Sequence, residues 1–127
     1  MDNYPIIVHN LFKKACNVLK ITGFSFRVMR RQVPINTKKS FKVGYINLRT
    51  KVICLDIYTP KKREPKSING LLRVFAHEFA HYQKPPFRQF YKRKWIARSH
   101  YPEFYQQVTL NVEEFKRDGE LSKYFVQ

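Results

Sequence analysis

The chain has 127 residues, 43% of them hydrophobic, and carries 25 Lys plus Arg against nine Asp plus Glu, a net charge of +16. That length fits one domain, residues 1–127, with a modest core; no run approaches the ~18 apolar residues of a membrane-spanning helix, and two lone cysteines, Cys16 and Cys54, exclude a zinc ribbon. The charge exceeds what solubility requires and calls for an anionic partner, nucleic acid before an acidic membrane surface.

Met1-Asp2-Asn3-Tyr4-Pro5 has no basic stretch leading into a long apolar run, so no secretory signal is expected. With both cysteines read as reduced thiols, the expected place is inside the cell: the cytoplasm, or the nucleus of a eukaryote. Tyr4 to Leu19 reads as an amphipathic helix, with Ile7, Leu11, Ala15 and Leu19 at period four, His9 on its surface and Gly23 as its stop. Phe24 to Arg31 alternates like a strand, and residues 32–42 form a polar, basic loop. Val43–Leu48 and Val52–Tyr58 read as strands around the turn Arg49-Thr50-Lys51, followed by a basic loop from Thr59 to Lys66. A helix capped by Ser67 or Asn69 should run from Ile68 to Tyr82. A basic, aromatic connection over 84–99 is broken at Pro85-Pro86, and a last helix should run from Tyr101 through Lys116. The order gives an α+β fold: an N-terminal helix, a small three-stranded antiparallel sheet, a site helix and a ligand-bearing helix.

Residues 77–81 read His-Glu-Phe-Ala-His. On a helix, His77 and His81 stack one turn apart, so both can reach one Zn²⁺. Glu78 lies about 100° around the axis, beside the metal position, where it can act as general base. Leu71, Leu72, Phe75 and Phe79 form the opposite, apolar stripe. A catalytic zinc takes three protein ligands and keeps one open position. His100 is the downstream histidine, while Glu103, Glu113 and Glu114 are rival ligands; Glu103 can also orient His100 or cap the helix. Tyr82, Tyr101 and Arg73 are candidates to assist a developing oxyanion.

The run Ala76-His77-Glu78-Phe79-Ala80-His81, followed by His100-Tyr101-Pro102-Glu103-Phe104, resembles the SprT-like zinc metallopeptidase family. The likeness covers about residues 43–116. It implies a minimal zincin-like fold, with His77, His81 and His100 as zinc ligands and Glu78 as the base. It also implies a DNA-dependent protease that cleaves proteins bound or crosslinked to DNA. Tyr101 stands where that family usually has Gly, and the linker between second and third ligand is longer and very basic. The bacterial YgjP-like hydrolases and the minimal gluzincins have neighbouring patterns, the latter with a later Glu as third ligand.

Residues 82–98 hold six cations, Lys84, Arg88, Lys92, Arg93, Lys94 and Arg98, and no acid. Tyr82, Phe87, Phe90, Tyr91 and Trp95 interleave with them. That mixture suits single-stranded or non-sequence-specific DNA, cations for phosphates and rings such as Trp95 for bases. The clusters Arg27/Arg30/Arg31/Lys38/Lys39/Lys42 and Lys61/Lys62/Arg63/Lys66 would extend the patch. The expected protein is a monomer acting on protein substrates, without a membrane. The alternatives are a nucleic-acid-binding module with a non-catalytic zinc site and a zinc hydrolase of another substrate class. The tail from Glu120 could fold over the cleft.

Overall fold

The computed structural model describes residues 3–29 and 44–125. The expected loop 32–42, and with it Arg30, Arg31, Lys38, Lys39 and Lys42 of the basic patch, lies outside the described residues.

Helix α1 spans Tyr4–Leu19 and starts on Pro5, whose fixed φ suits a first helical turn. It buries Val8, Leu11, Phe12 and Ala15. Its stop differs from expectation: Lys20, left-handed at φ 58°, closes the helix, and Gly23 at φ 87° then turns the chain into the first strand. Strands β1 (Ser25–Val28), β2 (Gly44–Asn47) and β3 (Val52–Leu55) form one sheet in the order β1-β3-β2. β2 and β3 are an antiparallel hairpin, with Asn47 Oδ1 accepting from the Arg49 and Thr50 amides at 3.0 and 3.1 Å. β1, however, runs parallel to β3, so the sheet is mixed rather than antiparallel. The reason is the long stretch between Val28 and Gly44. A tight turn would force β1 and β2 to pair, whereas a long connection lets β1 cross to the far side of β3.

Helix α2, Ile68–Gln83, is capped by Ser67, whose Oγ accepts from the Gly70 amide at 3.1 Å. Its apolar stripe meets both neighbouring layers. Phe75 lies 5.5 Å from Phe26 of β1, and Phe79 stacks on Phe12 of α1 at 5.9 Å. With every ring of Phe75 and Phe79 buried, truncating either would cost about 3–5 kcal/mol. The strands β4 (Phe87–Tyr91) and β5 (Lys94–Arg98) make a separate two-stranded hairpin, where the sequence suggested a basic, aromatic connection without strands. Helix α3, Pro102–Arg117, packs along α2 through Phe104, Val112 and Phe115. A 3-10 turn at Ser122–Phe125 ends the described chain. None of the described residues of the tail lines the cleft. Leu121 enters the core, Asn69 donates to the Tyr124 carbonyl at 2.8 Å, and Glu120 lies 3.5 Å from Lys14 of α1. Among the described residues no helix is long and apolar enough to cross a membrane.

Two cations assigned to the basic patch are used internally. Arg63 grips buried Asp56 through both guanidinium nitrogens at 2.9 Å, and Lys66 donates to the Asp56 carbonyl at 2.7 Å. Burial alone would raise the Asp56 pKa. The Arg63 bonds outweigh it, joined by the Tyr58 amide and the Lys66 charge, and hold this carboxyl below its ordinary value.

Candidate metal centre

α2 places His77 and His81 one turn apart on the face away from the core, with ring centroids 5.0 Å from each other. The chain leaves α2, runs out and back through the β4–β5 hairpin, and returns His100 just before α3. His100 then stands 5.3 Å from His77 and 4.8 Å from His81, centroid to centroid. One ring nitrogen from each of the three lies within 4.8 Å of the other two, so the set is close enough to bind a metal ion. Among the described residues no carboxylate joins this group. Glu103 is exposed on the first turn of α3, while Glu113 and Glu114 pair with Lys116 and Arg117 at 3.5 and 2.9 Å.

Phe104 is the floor of the site. It is fully buried, stacks on His81 at 4.4 Å and meets the rings of His77 and His100, each at 5.1 Å. Sequence reasoning quoted this residue but gave it no role. Ser99 was also missed: its Oγ lies 3.2 Å from His100 Nδ1. In the tautomer that donates Nδ1–H to Ser99, the Nε2 lone pair is free for a metal. Burial lowers the pKa of His77 and, with help from His77 and His100, brings His81 down to about 4. Both imidazoles are therefore neutral at neutral pH, the form that ligates.

Glu78 is buried and lines the same cleft of about 450 Å³ as the three histidines. Burial pushes its carboxyl up to about 7, which suits a proton acceptor and donor near neutrality. The cleft's other wall is β2, an edge strand of the sheet, together with Leu48, Pro86 and Ser99. The suggested oxyanion helpers are engaged elsewhere. Arg73 bonds Asn69 at 2.9 Å and covers Phe125, Tyr82 packs edge-on against Phe24, and the Tyr101 hydroxyl donates to the Pro85 carbonyl at 3.0 Å. None of the three lines the cleft.

Behind the site, buried Asn111 of α3 donates to the Ala76 carbonyl at 3.0 Å and to Gln83 Oε1 at 2.6 Å, while Gln107 donates to Asn111 Oδ1 at 3.0 Å. This network ties the His77/His81 helix to the helix that follows His100. Asn111→Leu is expected to leave Gln83 without its partner, destabilise the fold by about 1–3 kcal/mol and weaken metal binding about tenfold. Thermal unfolding and metal titration of the variant check both figures.

The hairpin between the second and third histidine is exposed nearly throughout. Its register puts Arg88, Phe90, Trp95 and Ala97 on one face, and Phe87, Gln89, Tyr91, Lys94, Ile96 and Arg98 on the other. Phe90 and Trp95 are 59% and 61% exposed with rings 5.5 Å apart, and the Arg88 guanidinium lies over Trp95. Lys92 and Arg98 both lie over Tyr91. Lys92 and Arg93 form the turn, both left-handed, at φ 49° and 67°. Lys84 caps α2 at the hairpin's base and is exposed.

Compared with protein-family models, curated proteins and solved structures, the chain matches none of them.

Proposed function

We propose that the chain is a zinc-dependent peptidase associated with single-stranded or non-specifically bound DNA. One observation carries the catalytic half: three histidines and a buried glutamate converge on a cleft walled by an edge strand. Three imidazoles are a donor set suited to Zn²⁺, and His77, His81 and His100 would hold it. When bound, the ion supplies Lewis acidity, lowering the pKa of a water and polarising a carbonyl. The chain's own residues do the rest. β2 is an edge strand among the described residues, and along that edge an extended peptide can lie as a further strand. Glu78, buried beside that edge, takes the proton from the attacking water and passes it to the leaving amine. Chelation should abolish hydrolysis of an unfolded protein substrate and added zinc should restore it. Hydrolysis that survives complete metal removal would sink the reading.

The DNA half rests on the charge and on the hairpin. Five cations and several exposed rings on one exposed ribbon, with Lys84 at its base, fit a backbone of phosphates with unstacked bases. The resemblance to SprT-like enzymes points the same way, towards proteins bound or crosslinked to DNA as substrates. Reversing Lys92, Arg93 and Lys94 to Glu should weaken binding to a single-stranded oligonucleotide. The slope of log affinity against log salt should fall by about 2, at roughly 0.7 per lost phosphate contact. Trp95→Ala should cost about 1–3 kcal/mol if one base stacks there. Unchanged affinity in both variants would remove the hairpin from the interface. The hairpin equally suits a binding module with a non-catalytic zinc site, but that reading leaves the buried Glu78 without a purpose.

A further inference from the structure

We infer that the cleft selects an uncharged, apolar side chain beside the bond it cuts, seated against Ile46 and Leu48. The inference rests on the peptidase reading and names its substrate class. The chain carries 25 lysines and arginines, yet none of those in the described residues lines the cleft. Apart from the three histidines, its charged group is Glu78, and its remaining wall is Gly44, Tyr45, Ile46, Leu48, Pro86 and Ser99. Strand alternation puts Gly44 and Ile46 on one side of β2, and Leu48, in the turn that follows, lines the cleft beside them. Ile46 also packs on the core, but Leu48, half-buried, is not part of that packing. Its apolar surface therefore belongs to the cleft. Gly44 adds no side chain there, since a Cβ would stand 2.4 Å from Leu55 Cδ2. An acidic substrate side chain at this wall would find no lysine or arginine of the described residues to receive it. A leucine or phenylalanine would bury surface against Ile46 and Leu48 instead. The cationic surface and the cleft thus read different things: anion outside, apolar side chain within.

The test uses zinc-loaded Glu78→Gln protein, so that binding is read without turnover. Two capped, extended peptides differ only in a central Leu or Glu, and binding is measured by fluorescence anisotropy at salt high enough to screen surface charge. The Leu peptide is expected to bind at least about tenfold tighter, as one well-placed apolar group allows. Adding Leu48→Lys should erase or reverse that ratio without changing zinc content, and Leu48→Asn should reduce it. Equal or tighter binding of the Glu peptide, or a ratio indifferent to both Leu48 variants, overturns the inference. Wild-type protein separates the two claims. Leu-selective binding without any hydrolysis sinks the peptidase reading and keeps the cleft's selectivity. Equal hydrolysis of both peptides overturns the selectivity and keeps the peptidase.

Discussion

Glu78→Gln is expected to retain zinc and the fold while hydrolysis falls by roughly 10²–10⁴-fold, the usual worth of a positioned general base. Gln keeps the size of the side chain but cannot accept the proton. The same variant has a signature in the metal-free protein that does not depend on activity. Burial raises the Glu78 carboxyl from its ordinary 4.5 to about 7, so the fold favours its neutral form. That contribution is complete below pH 4.5 and is lost as pH rises through 7. Relative to Glu78→Gln, the metal-free wild type should therefore lose about 3 kcal/mol across this window. His77 and His81 act with the opposite sign. Their pKa values lie below 6.5, that of His81 at about 4, so they lower stability as pH falls from 6.5 towards 4. Denaturant unfolding from pH 4 to 8 reads both slopes. A difference between wild type and Glu78→Gln that stays constant from pH 4 to 8 would mean that Glu78 is not buried as described.

His100→Ala is expected to reduce zinc affinity by well over the roughly 10–100-fold that a lost supporting hydrogen bond costs. Two imidazoles of α2 alone leave a weak, open pair. Glu103→Ala should change little, because that carboxylate is exposed and outside the histidine group. Competition titration against a chromophoric chelator measures both. Strong binding retained by His100→Ala together with loss in Glu103→Ala would reassign the third ligand and favour the gluzincin-like pattern.

The helices were legible because their signals are local. Period-four apolar residues marked α1, and Ser67 ahead of the Leu71/Phe75/Phe79 stripe marked α2 almost to the residue. The i, i+4 spacing of His77 and His81 fixed two corners of the site before any tertiary contact was known. The sheet's topology was not legible, since the parallel pairing of β1 with β3 depends on a long connection and not on the strands themselves. The hairpin was missed for a local reason. Its turn is Lys92-Arg93, two residues that rarely accept positive φ, in place of the Asn-Gly that announces such turns. Its alternation also buries neither face. Arg63 and Lys66 looked like surface cations because nothing in the sequence links them to Asp56. Phe104 and Asn111 act through contacts across elements, and Ser99 through its neighbour His100; only the Phe that ends the His100-Tyr101-Pro102-Glu103-Phe104 run carried a sequence signal.

The most direct measurement is a titration of Zn²⁺ into metal-free wild-type protein beside His77→Ala and His100→Ala. The three-histidine centre predicts saturation at one equivalent in wild type and loss of that tight site in both variants. No tight site in wild type, or one that both variants keep, would contradict it.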